Sequence, residues 1–154
     1  MTTRSADAIS LLIKDHKDVK AMFEQFEALT DRSKVSKKKI ADRICHALTV
    51  HAQVEEEIFY PAVRAAIKDD DMMDEATVEH ASAKDLIAQI EAMDPGDDLY
   101  DAKVKVLSEQ IDHHVEEEEG EMFPKVRKSS LDLVALGAEI TRRKQQIERD
   151  VMAS

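Results

Sequence analysis

The sequence predicts an all-α fold, in which two helical hairpins form an antiparallel four-helix bundle that is followed by an additional C-terminal helix. Only three glycines and three prolines occur among the 154 residues, and 36% of the residues are charged against 43% hydrophobic. A composition with so few helix breakers is typical of a helical protein. The length suits one domain that can bury a substantial core.

An internal repeat supports the two hairpins. His16 and His80 lie 64 positions apart (80 − 16), and each follows an acidic residue and precedes a lysine by four positions. His51 and His114 lie 63 positions apart (114 − 51), and each begins a His-x-x-x-Glu motif with a proline six residues after the glutamate. We therefore expect the two hairpins to be related by an approximate two-fold axis.

Apolar residues at helical spacing, separated by polar turns, predict five helices. We expect them at about residues 6–29, 36–67, 72–93, 98–128 and 130–151. Kinks are expected at Pro61 and Pro124, because proline removes a helical hydrogen bond. Ser129 or Ser130 is expected to cap the fifth helix.

The C-terminal segment has no counterpart in the repeat. We expect residues 1–128 to form the bundle and residues 129–154 to form a separate helix. Its apolar residues have helical spacing, which indicates packing against the bundle, with a dimer contact as the alternative. These residues are Leu133, Leu136, Ile140, Ile147 and Val151.

Charge and cysteine content argue against several classes of protein. The net charge of −11 argues against nucleic-acid and membrane partners, which need a basic face. No apolar run reaches transmembrane length, and the N-terminal segment lacks the apolar core of a signal peptide. Cys45 is the single cysteine, so an intrachain disulfide is impossible. We expect a cytoplasmic protein, either a monomer or a homodimer.

Repeated histidines and glutamates are expected to meet in the bundle core. Residues four apart lie on one face of a helix, so both members of each His-x-x-x-Glu motif point the same way. The other two histidines lie on apolar faces, which an antiparallel bundle brings into its core. The six residues are His16, His51, Glu55, His80, His114 and Glu118.

These six side chains predict a site for two metal ions. Two buried carboxylates close together cost much free energy unless cations neutralise them. A carboxylate can bridge two ions, and imidazole with carboxylate suits iron, and also zinc or manganese. We expect His16 and His51 to bind one ion, and His80 and His114 to bind the other. Glu55 and Glu118 are expected to bridge the two ions.

Further side chains on the same helical faces are expected to surround the ions and to form a dry pocket for a small ligand. These are Lys84, Phe23, Phe59, Ile87, Ile111 and Met122. Lys84, like its repeat mate Lys20, is expected to balance carboxylates while its stem covers the core, with metal ligation as the alternative.

Three residues lie near the repeated set but outside it. Glu117 follows His114 by three positions and could reach the ions. His113 points about 100° away from His114 on the helix. We interpret it as exposed, or as a residue that contacts a metal ligand without binding the metal. Tyr60 would reach the ions only if the helix changed phase at Pro61.

The pattern His16, His51-Ala-Gln-Val-Glu55, His80 and His114-Val-Glu-Glu-Glu118 resembles the haemerythrin family, in particular its bacterial single-domain HHE cation-binding members. Ferritin-like proteins carry Glu-x-x-His instead. The resemblance covers about residues 8–127. It implies an up-down-up-down four-helix bundle with two iron ions in an oxo- or hydroxo-bridged centre that meets O₂, NO or hydrogen peroxide.

One position departs from the oxygen carriers that this sequence resembles. They have His-x-x-x-His on the third helix, where this chain has Lys84 as the second member. One iron would then lack an imidazole, which favours redox chemistry or sensing over oxygen carriage. We therefore expect a role in oxidative or nitrosative stress, with peroxidase-like, catalase-like or NO-handling activity. The alternatives are a redox, oxygen or iron sensor module, or a reversible oxygen-binding protein.

Overall fold

The fold consists of helices joined by short turns in a computed structural model that describes residues 7–30 and 32–153, the side chain of residue 153 excepted. Seven α-helical segments follow one another: α1 Ala8–Glu27, α2 Lys34–Val54, α3 Tyr60–Ala66, α4 Asp70–Glu91, α5 Tyr100–Glu117, α6 Phe123–Arg127 and α7 Leu133–Ala153. The first π turn, Glu55–Phe59, joins α2 to α3, and the second π turn, Glu118–Met122, joins α5 to α6.

Four long helices make an up-down-up-down bundle, because each π turn continues the helix in which it lies. In the bundle α1 packs on α2 and α5, and α4 packs on α2 and α5. Helix α7 packs on α1, α2 and the first π turn. The predicted all-α bundle with an additional C-terminal helix is therefore confirmed.

Aspartates begin three of the helices by accepting a hydrogen bond from a backbone N–H of the first turn. Asp7 accepts from Ser10, and Asp69 accepts from Met72. The predicted serine cap of the last helix is wrong, because Asp132 accepts from the N–H of Ala135 instead.

The helix irregularities predicted at the prolines lie a turn earlier, in the two π turns. The N–H of Tyr60 donates to the carbonyl of Glu55, five residues back. The N–H of Phe123 donates to the carbonyl of Glu118 in the same way. Each π turn adds a residue to one helical turn, which rotates everything after it by about 100°.

Two apolar clusters fill the bundle and leave a band between them. One cluster contains Leu12, Phe59 and Phe123 and includes the apolar face of α7. The other contains Val19, Leu48 and Leu107 at the opposite end. The band between the clusters holds the polar side chains described below. None of the described helices is long and apolar enough to cross a membrane.

Candidate metal centre

Six buried side chains from all four long helices meet in the band between the clusters. The histidines come from the middle of each long helix, and each glutamate is the first residue of a π turn. Exposed fractions are 9% or lower for the whole set, which is His16, His51, Glu55, His80, His114 and Glu118. The structure thus brings together the six residues that the repeat singled out.

Two overlapping groups of ligand atoms can be distinguished. In one group Glu55, His80, His114 and Glu118 each offer an atom within 4.8 Å of the others. In the other group His16 and His51 meet Glu118 within the same limit. The imidazole rings pair accordingly, with centroids 5.0 Å apart in each pair.

The glutamates lie between the two histidine pairs. Glu55 Oε1 is 3.1 Å from Nε2 of both His51 and His80, which belong to different pairs. Glu118 spans the centre in the same manner, with Oε1 3.3 Å from His16 Nε2 and Oε2 3.0 Å from His114 Nε2. Each carboxylate therefore contacts one histidine of each pair.

Every imidazole is oriented by a carboxylate at its other nitrogen. The four Nδ1 to oxygen distances are 2.7 Å from His16 to Glu119, 2.8 Å from His51 to Asp15, 2.9 Å from His80 to Glu56, and 2.6 Å from His114 to Glu79. An ionised carboxylate only accepts hydrogen bonds, so the proton lies on Nδ1. Each Nε2 is then free to bind a cation, which is the usual arrangement of histidine ligands.

These four carboxylates were not assigned a role from the sequence, although the repeat contains the signal that finds them. Asp15 and Glu79 are separated by 64 positions (79 − 15), the same offset as His16 and His80. Glu56 and its mate at 119 are separated by 63 (119 − 56). Each of these acids is adjacent in sequence to one member of the repeated set. In the structure it accepts a hydrogen bond from a histidine of a different helix.

Several buried atoms of the centre have no hydrogen-bond partner. They are His16 Nε2, His51 Nε2, Glu55 Oε2 and Glu118 Oε1. Burying a polar group without a partner costs free energy, and burying a charged group costs more. The donor set of imidazole nitrogens and carboxylate oxygens fits divalent transition metals, and iron among them.

Electrostatics in the centre favour positive charge. Burial opposes the charged imidazole of His51, but the charge of Glu55 and the hydrogen bond to Asp15 outweigh it and raise its pKa to about 10. The pKa of His114 also rises to about 10, because the hydrogen bond to Glu118 and its charge outweigh burial. Burial likewise opposes charge on Glu118, yet the imidazoles of His114 and His16 beside it hold its pKa well below the usual range. Cations would take the place of these protons.

The hydroxyl group of Tyr60 lies among the six side chains of the centre. It donates to Glu118 Oε2 over 2.6 Å and lies 3.3 Å from Glu55 Oε1. The same oxygen is 3.1 Å from Nε2 of His80 and 3.2 Å from Nε2 of His114. The change of helix phase that this position requires occurs in the first π turn, just ahead of Pro61. Burial, together with the charge of Glu55, raises the pKa of the phenol well above its ordinary value.

The two halves of the centre differ at this position. The repeat mate of Tyr60 is Phe123 (123 − 60 is 63), a fully buried residue. Its ring stacks on His16 with the planes 3° apart and the centroids at 6.1 Å. The His80 and His114 pair thus faces a phenol oxygen, whereas His16 of the other pair faces a phenyl ring.

Lys84, Glu117 and His113 lie outside the converging set. Lys84 is half-exposed, and its Nζ donates to Glu56, the carboxylate that orients His80. Glu117 pairs with the exposed His113, four residues before it, at a distance of 3.0 Å between Oε1 and Nε2. Lys84 therefore supports a histidine through its carboxylate rather than standing among the ligand atoms.

A cavity of about 190 Å³ opens beside the four histidines. Of the residues predicted to surround the ions, Lys84, Ile87 and Ile111 line it. Phe23 lies in one apolar cluster, and Phe59 and Met122 lie in the other. The cavity is also lined by Gln110, a residue that the sequence did not single out, and the Oε1 atom of this residue is buried without a partner.

The fold and the centre define a cation-binding helical bundle, and comparison with known families agrees. Residues 7–126 match the family described as the Hemerythrin HHE cation binding domain, so the chain belongs to this family. A solved structure of an HHE cation binding domain-containing protein from Mycobacterium kansasii superposes with a TM-score of 0.81. It covers 96% of this chain and 91% of that chain at 20% identity, and so shares the fold.

A relative from Nostoc sp. strain PCC 7120, named DNA nickase, is 31% identical over 113 residues. The match covers 73% of this chain but only 31% of the nickase. The two proteins are therefore similar over a segment that makes up less than a third of the longer one.

Proposed function

We propose that this protein holds two iron ions and binds or reacts with O₂, NO or hydrogen peroxide in the response to oxidative or nitrosative stress. The observation that carries the proposal is the orientation of the four imidazoles. Each donates its Nδ1 proton to a carboxylate and turns Nε2 toward two buried, shared glutamates. When bound, a pair of irons supplies redox chemistry for such small ligands.

The proposed ligand sets follow the two groups of atoms. His16 and His51 would hold one ion, His80 and His114 would hold the other, and both glutamates would bridge. The phenol oxygen of Tyr60 is the candidate for the coordination position that an oxygen carrier fills with a fifth histidine. Its closeness to His80 and His114 supports this assignment, as does the engagement of Lys84 with Glu56.

The cavity beside the histidines suits a small, uncharged ligand. Apolar side chains such as Ile87 and Ile111 lower the local dielectric constant near the centre. A lower dielectric constant strengthens electrostatic interactions there. The unpaired amide oxygen of Gln110 offers a hydrogen-bond acceptor for a protonated ligand such as hydrogen peroxide. The residues of this chain would thus admit, desolvate and orient the ligand.

Metal analysis tests the proposal. Anaerobic reconstitution of the purified protein with ferrous iron should give about two irons per chain. His51→Ala combined with Glu55→Ala should abolish this, whereas His46→Ala, which removes an exposed histidine paired with Glu148, should leave it unchanged. Less than one iron per chain in the unmodified protein would refute the proposal.

The choice of ligand is tested separately, on the iron-loaded protein. Optical spectra after exposure of the reduced protein to O₂, NO or hydrogen peroxide identify which of them is bound or consumed. A catalase-like role requires oxygen release from peroxide that disappears in His114→Ala. A stable and repeatedly formed oxygenated spectrum would instead support reversible oxygen binding.

A sensor module is a second candidate, favoured by one contact. Lys144 of α7 donates to Asp15, which in turn accepts from His51. A change of charge at the centre would therefore alter the strength of the contact between α7 and the bundle. Hydrogen exchange of residues 133–153 should then differ between the reduced and oxidised protein, and identical exchange would exclude this role.

We propose no nucleic-acid partner, because the net charge of −11 opposes binding to phosphates.

A further inference from the structure

A second group of potential metal ligands lies on the surface, next to the proposed diiron centre. Glu79 of α4 and His113 and Glu117 of α5 each offer one ligand atom within 4.8 Å of the others. His113 Nε2 is 3.0 Å from Glu117 Oε1 and 3.8 Å from Glu79 Oε2. Imidazole with two carboxylates is a donor set for divalent transition metals.

Glu79 connects this surface group to the buried centre. Its Oε1 accepts from His114 Nδ1, while its Oε2 faces His113. The side chain of Glu79 is 21% exposed, against 63% for His113 and 33% for Glu117. One carboxylate therefore has one oxygen committed to the centre and the other available at the surface.

The equivalent place in the other half of the repeat is built differently. The mate of Glu79 is Asp15, which is neutralised by Lys144 of α7. The mates of His113 and Glu117 are Val50 and Val54, which are buried apolar residues. Among residues 7–30 and 32–153 no lysine or arginine pairs with Glu79, so its half lacks the counter-charge that Asp15 has. A bound cation would provide it.

A small crevice includes Glu79 and Glu117 of the surface group in its lining, but not His113. Its lining also contains Glu75 and Glu121, together with Glu118 and His114 of the centre. Glu118 is 1% exposed, and its Oε1 has no hydrogen-bond partner. The volume of about 20 Å³ is enough for one water molecule or one ion. The crevice thus contacts Glu79 and Glu117 of the surface group and Glu118 and His114 of the centre.

We propose that Glu79, His113 and Glu117 form an outer site for a divalent transition-metal ion, from which the ion passes along the acidic crevice to Glu118 and His114. The transfer step rests on the proposed diiron function, whereas capture of an ion at the surface does not. The outer site gives the buried centre a place where a hydrated ion first exchanges water for protein ligands.

Cobalt binding to the iron-loaded protein tests the outer site. Equilibrium dialysis should find one additional Co²⁺ per chain in the unmodified protein. His113→Ala combined with Glu117→Gln should weaken this binding by at least about tenfold, and its iron content should stay unchanged. The matched control is His46→Ala with Glu148→Gln, which removes another exposed imidazole and carboxylate pair and should bind cobalt normally.

Iron uptake by the metal-free protein tests the transfer. The His113 and Glu117 double variant should load ferrous iron several-fold more slowly than the control, but reach the same final content. Equal cobalt binding and equal loading rates in the two variants would overturn the proposal. The final iron content of the unmodified protein reports separately on the diiron centre, so failure of one proposal is distinguishable from failure of the other.

Discussion

Single residues of the centre show a division of labour between the two nitrogens of each imidazole. Nε2 turns inward to the shared glutamates, and Nδ1 donates outward to a carboxylate that is itself near the surface. Such carboxylates fix the tautomer and the ring orientation, and they make the imidazole a stronger ligand. Metal affinity therefore depends on residues that would not themselves bind an ion.

Glu119 allows the cleanest test of this support, because among residues 7–30 and 32–153 its carboxylate pairs with His16 alone. Glu119→Ala should weaken binding of one of the two irons by about 10- to 100-fold. Competition with a chelator measures the affinity. Glu116→Ala removes an exposed glutamate from the same helix and should change nothing. Equal affinities in the two variants would contradict the role assigned to the carboxylate.

Tyr60 provides a second test at the residue scale, with an internal control. If its phenol oxygen binds iron, the ferric protein should show a visible phenolate-to-iron absorption band that Tyr60→Phe abolishes. The variant would also make the two halves of the centre alike, since the repeat mate is Phe123. Tyr100→Phe is the control, because Tyr100 is the other tyrosine and lies in the far apolar cluster. A band that survives in Tyr60→Phe would exclude phenol ligation.

At the scale of elements, the π turns decide which side chains enter the centre. Each begins at one of the two buried glutamates, Glu55 or Glu118, and rotates the following residue toward the core. In an uninterrupted α-helix, Tyr60 would lie about 180° from His51 and point away from it. The wider turn reduces this angle, and so places an aromatic residue beside the histidines in each half.

Gly120 lies within the second π turn at a position that does not need glycine. Its φ is not positive, and a Cβ there would meet no atom within 4 Å. Its repeat mate is Glu57, which shows that the turn accommodates a side chain. Gly120→Ala should therefore stabilise the protein by about 0.5–1 kcal/mol, mainly by restricting the unfolded chain.

Urea unfolding measures this gain in stability. Gly96→Ala is the comparison, since a Cβ at that position would come within 3.2 Å of Lys34 Nζ and force the lysine to move. A loss of stability in Gly120→Ala would indicate that the second π turn needs the freedom of glycine, and would contradict the expectation.

At the scale of the whole molecule, α7 makes a symmetric bundle asymmetric. It covers the half that contains Asp15 and supplies Lys144 to that carboxylate. Arg143 and Glu148 anchor the same helix to Glu57 and His46. The opposite half remains open around Glu79. The C-terminal helix packs on α1 and α2, and this packing determines which face of the centre is accessible.

The stability of the whole fold should depend on pH in a way that reveals the metal. Folding raises the pKa of His51 and His114 from 6.5 to about 10. In the metal-free protein this contribution is complete below about pH 6.5 and is lost as the pH rises toward 10. The melting temperature of the metal-free protein should therefore fall between pH 7 and pH 10.

The iron-loaded protein provides the control for this experiment. Ligand imidazoles are neutral at Nε2, so metal replaces the protons and the loss of stability over this range should be much smaller. Binding should also raise the melting temperature at pH 7, because a ligand of the native state stabilises it. Parallel curves for the two forms would show that the histidines hold no metal.

Local periodicity made much of this protein predictable. The helix content and the six central residues follow from spacings of four within a helix and from one repeat. Such spacings depend on backbone geometry that every α-helix shares. The number of long helices could be derived in the same way.

Other features required the tertiary structure. The pairing of each Nδ1 with a carboxylate depends on the packing of neighbouring helices, which brings Asp15 to His51 across 36 positions of the chain. The entry of Tyr60 depends on a π turn, for which the proline was only a partial signal. Thus the sequence by itself determined the bundle and the repeated set of candidate ligands, because both follow from local helical geometry. Only the tertiary structure decided the hydrogen bonds, the phenol and the open face, because these depend on contacts between helices.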